Sequence, residues 1–90
     1  MWRSARAKVL ARQGDVDESL RLAREAVSIV AQTDWLNLRG DTLLDLAEVL
    51  DLAERLDEAA PVIAEARRFY EQKGNIVSAR KAHELLADHL

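Results

Sequence analysis

The chain has 90 residues, a hydrophobic content of 49%, a net charge of −3 and no cysteine. This length allows one small domain, and the lack of cysteine excludes a disulfide framework and a thiolate zinc site. The acidic balance argues against nucleic acid as a partner, and no apolar run approaches the roughly 20 residues that cross a bilayer. We therefore expect a cytoplasmic protein that binds neither nucleic acid nor membrane.

Helical periodicity predicts an all-α chain of about five antiparallel helices. The predicted segments cover residues 1–13, 16–32, 35–55, 57–72 and 76–90. Asp15 is predicted to cap the second segment, with Glu18 reaching back to it. Gly74 ends the fourth segment in the manner usual for helices.

Three residues of the later segments carry structural expectations. Gly40 lies inside the third segment, where it costs about 1 kcal/mol relative to alanine. It either permits close packing or divides the helix, and both alternatives stay open. Trp35 and Tyr70 are expected to pack in the core, and Ile76 is expected to face inward on the fifth segment.

The chain repeats itself at an interval of 40 residues, and this period is typical of a helical solenoid. The first copy of the pattern is Ala7, Val9, Leu10, Asp17, Glu18, Glu25, Ala26 and Gln32. The second copy is Ala47, Val49, Leu50, Asp57, Glu58, Glu65, Ala66 and Gln72, and Ala87 and Leu90 begin a third. We expect one domain over residues 1–90, with repeats at about 1–33 and 34–73 and a partial repeat or capping helix at about 76–90.

These positions resemble the tetratricopeptide repeat family, whose units are helical hairpins of about 34 residues. Small side chains fall where that family packs its helices closely, at Ala7, Ser19, Ala26, Ala47, Ala59, Ala66 and Ala87. Gln13 to Glu18 is similar to the family's turn, although Glu54 replaces the turn glycine in the second repeat. The resemblance implies an α-α superhelix whose function is to bind proteins.

The longer period resembles repeats in large bacterial signalling proteins, such as nucleotide-cyclase or ATPase-linked regulators. The counterpart of the segment that begins near Trp35 would precede residue 1. We therefore expect the chain to be a fragment of a larger array, with a regulatory or scaffolding role in the parent protein.

The resemblance also implies which residues line the partner-binding groove. Carried over, they are Lys8, Arg12, Asp41, Leu44, Glu48, Asp51, Leu52, Glu84 and Asp88, together with Ser4, Ala11 and Lys81. A helical wheel adds Asp45, which clusters with three other carboxylates on the side away from Leu43, Leu46 and Leu50.

Two interpretations of this pattern remain open. An acidic groove with Leu44 and Leu52 as anchors would suit a basic amphipathic peptide. Alternatively, the carboxylates form a solvated face that Lys8, Arg12 and Lys81 partly neutralise, and the two leucines pack between helices.

We expect neither a metal-binding site nor a catalytic site. His83 and His89 are six residues apart and do not have the spacing of paired metal ligands, so we expect them to be structural. No nucleophile, phosphate loop or acid–base pair is recognisable, so we predict no catalytic, cofactor or metal residue and no cofactor. The predicted function is protein–protein interaction. The alternatives are self-association and, remotely, a small helical enzyme.

Overall fold

The computed structural model describes Lys8 and residues 13–89. Lys8 is helical, and the described stretch from residue 13 contains four α-helices and no strand. These are α1 (Val16–Val30), α2 (Leu36–Leu52), α3 (Leu56–Lys73) and α4 (Ile76–Asp88). Consecutive helices are joined by short turns and pack against each other, so the chain forms stacked antiparallel hairpins. The predicted all-α, hairpin-repeat fold is confirmed.

Helices α2 and α3 end in the same way, although only one of them ends at a glycine. The backbone N–H of Asn75 donates to the carbonyl of Tyr70 at 2.9 Å, across Gly74 with φ of +79°. The N–H of Arg55 likewise donates to the carbonyl of Leu50 at 2.8 Å, across Glu54 with φ of +61°. This bond pattern requires a left-handed residue, so α2 ends at Leu52 and not at the predicted residue 55.

The core lies between α2 and its neighbours α1 and α3, and α4 packs on α3. Small side chains are fully buried at most of the predicted close-packing positions that the structure describes. These are Ser19, Ala26, Ala47, Ala59 and Ala66. Since they remove bulk between facing helices, the helix axes approach closely. Ala87 is exposed because α4 has a packed neighbour on only part of its surface, and Ala7 lies outside the described residues.

Gly40 permits close packing and does not divide α2. It is buried inside the helix, and a Cβ atom there would lie 2.7 Å from two ring atoms of Tyr70. Tyr70 itself is 1% exposed, as expected of a core residue. The glycine therefore makes room for the aromatic ring of the facing helix.

Three expectations about single residues are wrong. Asp15 is the N-cap residue of α1 but makes no side-chain capping hydrogen bond. Trp35 is 67% exposed and Ile76 is 71% exposed. Both apolar residues lie at the start of a helix, beyond the reach of the helices that cover the core, so their hydrophobicity does not lead to burial.

Glu54→Gly should stabilise the fold. A non-glycine residue in the left-handed region costs on the order of 1–3 kcal/mol. The larger conformational entropy of glycine in the unfolded state offsets about 0.4–1 kcal/mol of this gain. We therefore expect a net increase of about 1 kcal/mol in the free energy of unfolding, measured with urea. Glu54→Ala is the matched control, because alanine keeps the Cβ atom and should give no such gain. Equal stability of the glycine and alanine variants would contradict the assignment.

Gly40→Ala should destabilise the fold, although alanine favours helix formation by about 1 kcal/mol. Overpacking against the buried ring of Tyr70 costs about 1–3 kcal/mol, so we expect a net loss of about 1 kcal/mol in the free energy of unfolding. In a Tyr70→Leu background, where the ring is gone, the same substitution should be stabilising. A gain in the otherwise unchanged chain would show that the contact is not tight.

Candidate functional site

Helices α2 and α4 run side by side in the same direction. The side-chain amide of Asn75 donates to the side-chain oxygen of Asn37 at 3.0 Å, where both helices begin. His89 Nε2 lies 2.7 Å from Asp51 Oδ1, where both helices end. Both pairs are separated by 38 residues, and the two bonds are about 20 Å apart along α2 at 1.5 Å per residue. The two helices are therefore parallel and in register.

Lys8 contacts two carboxylates of α2. Its Nζ atom lies 3.1 Å from Asp45 Oδ1 and 3.2 Å from Glu48 Oε2. Asp45 is 37 residues from Lys8, close to the separation seen on the α4 side. Polar side chains thus connect Lys8, α2 and α4 along one surface, which we call the inner face.

The inner face is defined by the predicted groove residues that the structure describes. Its members are Lys8, Asp41, Leu44, Asp45, Glu48, Asp51, Leu52, Lys81, Glu84 and Asp88, whereas Ser4, Ala11 and Arg12 lie outside the described residues. Glu84 and Asp88 are exposed residues of the neighbouring helix α4. Six carboxylates and two lysines give this surface a negative potential.

The four carboxylates of α2 all have protein partners. Asp45 and Glu48 share Lys8, and Asp51 contacts His89. Asp41 accepts a hydrogen bond from the hydroxyl of Tyr70, which reaches it past Gly40. The charged row is therefore held in place from three sides: by the segment of Lys8, by α3 and by α4.

These contacts shift the protonation equilibria of the partners. The hydrogen bond to Asp45 is the main cause of a raised pKa of Lys8, and Glu48 adds to it. Burial is the main cause of a raised pKa of the Tyr70 hydroxyl, and the hydrogen bond to Asp41 adds to that. Both groups stay protonated at neutral pH, so each continues to donate to the carboxylate row.

His89 is held by two acceptors. Its Nδ1 atom lies 2.6 Å from the carbonyl oxygen of Leu85, and its Nε2 atom lies 2.7 Å from Asp51 Oδ1. Since a carbonyl and a carboxylate only accept, both ring nitrogens must donate, and the ring is an imidazolium. The Leu85 carbonyl is the main cause of the raised pKa of His89, followed by Asp51.

The two leucines of the inner face differ in environment. Leu44 is half-buried and packs against the core, whereas Leu52 is 42% exposed at the end of α2. Leu52 is therefore available to an apolar side chain of a ligand, whereas only part of the Leu44 side chain is accessible. The surface can attract cations and can cover a small apolar group.

Sequence reasoning missed Tyr70, Asn37, Asn75 and His89 as parts of this surface. Tyr70 was recognised as a core residue, but its hydroxyl contact depends on how far α3 slides along α2. His89 directly follows the predicted groove residue Asp88 in the sequence, and this adjacency is the signal that could have indicated its place. Among the described residues, no three histidine, cysteine or carboxylate side chains are grouped so that they could bind a metal ion.

Comparison with known proteins identifies a family. The family model described as Tetratricopeptide repeat matches residues 1–72. No curated protein and no solved structure matches the chain. In the described part of the chain, each helix is too short or too polar to span a bilayer.

The contact of His89 should make stability depend on pH. Because its folded-state pKa lies above the unfolded value of about 6.5, folding favours the protonated ring. The stabilisation is therefore fully present below pH 6.5 and is lost as the pH rises through the folded-state pKa. Urea unfolding of the wild type and of His89→Gln between pH 5.5 and pH 9 should show the largest difference at low pH.

Asp51→Asn provides the control for that series, because it weakens one of the two contacts and leaves the Leu85 carbonyl in place. Its pH dependence should lie between those of the wild type and His89→Gln. A stability difference that grows as the pH rises would contradict the imidazolium assignment.

Proposed function

Because the chain belongs to the tetratricopeptide repeat family, we propose that it binds a partner protein along the inner face, through a basic and amphipathic segment of that partner. Domains of this family bind proteins or peptides. The observation that supports the choice of surface is the parallel register of α2 and α4 with Lys8 on the other side of α2. This arrangement supports a strip that contains the four carboxylates of α2, beside which α4 carries Glu84 and Asp88.

Charge selects the class of ligand. The inner face carries six carboxylates against Lys8 and Lys81, and the imidazolium of His89 borders it, so the strip keeps a net negative charge. A segment rich in lysine or arginine is attracted to such a strip, and its association rate depends on ionic strength. An acidic segment would meet repulsion along the whole length of α2.

The existing ion pairs do not prevent binding. The side chains of Lys8 and Asp45 are 30% and 31% exposed, so water screens their attraction. Pairs of this kind contribute roughly 0–1 kcal/mol, and a ligand cation can replace one partner at little cost. An apolar side chain of the same segment would cover Leu52, which adds the burial of apolar surface.

The 40-residue period, similar to repeats of large bacterial signalling proteins, supports a regulatory or scaffolding role within such a protein. The described residues bring together no nucleophile, base and oxyanion donors in one cleft, so we propose no reaction.

Charge reversal tests the proposed surface. Glu48→Lys combined with Asp51→Lys should weaken binding of a 14-residue amphipathic lysine–leucine peptide by at least about tenfold, because it places two cations in the strip. Fluorescence anisotropy at low and high salt measures the affinity.

The matched control reverses two exposed carboxylates outside the inner face, Asp34→Lys and Glu65→Lys. It changes the net charge equally and should leave most of the affinity intact. Equal losses in both double variants would indicate attraction by net charge alone, and no loss in either would refute the groove.

Self-association is the second candidate, and exposed apolar side chains favour it. Trp35, Ile76 and Val77 are 67%, 71% and 81% exposed, and they lie at the end of the stack where α2 and α4 begin. Light-scattering mass at two concentrations distinguishes the two functions. A stable dimer supports self-association, and a monomer supports an external partner.

A further inference from the structure

A second surface lies between α3 and α4. It is an open cleft of about 420 Å³, bounded by the last turns of α3 and the first turns of α4. Its polar lining consists of Arg67 and Glu71 from α3 and of Arg80 and His83 from α4. Ile76 and Ala79 provide its apolar lining.

Arg67 determines which hydrogen-bonding groups the cleft offers. Its Nη1 atom lies 3.0 Å from His83 Nδ1, and its Nε atom lies 3.5 Å from Glu71 Oε1. A guanidinium group only donates, so Nδ1 of His83 accepts and the ring is neutral with its proton on Nε2. The remaining N–H group of His83 and the other N–H groups of Arg67 are donors for a ligand.

Arg80 is a cation of the cleft for which no ion-pair partner is found among the described residues. Within the described part of the chain it has no hydrogen bond or ion pair, and it is exposed. The two arginines and Glu71 give the cleft a net charge of +1, because His83 is neutral in this arrangement. A singly charged carboxylate balances that charge, whereas a phosphate would bring more negative charge than the cleft neutralises.

The repeat pattern shows that this surface differs from its counterpart in the preceding repeat. At an interval of 40 residues, Gly40 and Leu43 of α2 correspond to Arg80 and His83 of α4. Gly40 and Leu43 are buried against the neighbouring helix. At these two positions α4 therefore carries side chains that donate hydrogen bonds, whereas the second repeat has core residues. Such donors favour a ligand with a hydrogen-bond acceptor over an apolar helix.

The apolar lining adds a second requirement for the ligand. Ile76 is 71% exposed and lines the cleft together with Arg67 and Arg80. Ala79 lies one turn further along the same side of α4. A carboxylate that reaches Arg80 and His83 brings its neighbouring groups onto these two side chains. Burial of an apolar neighbour is favourable there, at roughly 25 cal/mol per Å².

We propose that the cleft binds an aspartate or glutamate side chain of a partner protein that is flanked by apolar side chains. The carboxylate accepts hydrogen bonds from Arg80 and from Nε2 of His83, and the apolar neighbour covers Ile76 and Ala79. The proposal concerns a ligand of the opposite charge to the one that fits the inner face, and it does not depend on that face.

Nuclear magnetic resonance titration of the 90-residue chain tests the proposal with the peptide acetyl-Leu-Asp-Leu-amide. The amide resonances of Ala79, Arg80 and His83 should shift. The isosteric peptide acetyl-Leu-Asn-Leu-amide should bind about tenfold more weakly, because it lacks the charge. Acetyl-Gly-Asp-Gly-amide and inorganic phosphate should both bind more weakly than the first peptide.

Two variants with the same change in net charge locate the site. Arg80→Gln should weaken binding of the aspartate peptide by about tenfold. Arg68→Gln, which changes an exposed arginine outside the cleft lining, should leave the affinity within about twofold of the wild type. Equal effects of the two variants, shifts confined to the inner face, or equal binding of the asparagine peptide would each overturn the proposal.

Discussion

The contact between Tyr70 and Gly40 connects the core of this molecule to its charged surface. The ring occupies the space that a Cβ atom on Gly40 would fill, so α2 and α3 approach closely at this point. The hydroxyl then donates to Asp41 of the inner face. One side chain therefore fixes both the packing of the second hairpin and the position of the first carboxylate in the row. A shift of α3 along α2 would disturb both.

Helix α4 carries charged residues of both signs on its exposed side. The helix packs on α3 and faces α2, which leaves the remaining side open. Arg80 and Glu84 lie one turn apart on that side, and Arg80 and His83 also line the cleft beside α3. The two proposed ligands of opposite charge would therefore approach neighbouring residues of one short helix.

The elements and the close-packing positions were predictable from the sequence, because both are set by local periodicity. Ser19, Ala59 and Ala66 are buried where the repeat pattern places small residues. Glu54 stood out as a departure from the turn glycine, and the structure shows that it nevertheless adopts the left-handed conformation.

What could not be predicted depends on the relative position of whole helices. The Tyr70–Asp41 and His89–Asp51 contacts join residues that are 29 and 38 positions apart, and a slide of one turn would break them. Trp35 and Ile76 were assigned inward positions from hydrophobicity alone, which predicts burial only where a neighbouring helix provides cover. The register of neighbouring helices therefore had to come from the structure, and one solution measurement reports on it directly. In isotope-edited nuclear Overhauser spectra, the account predicts contacts from the His89 ring to Asp51 and from the Asn75 side chain to Asn37 in the same sample. Contacts of the His89 ring with the first turn of α2 would show an antiparallel or closed bundle and contradict the account.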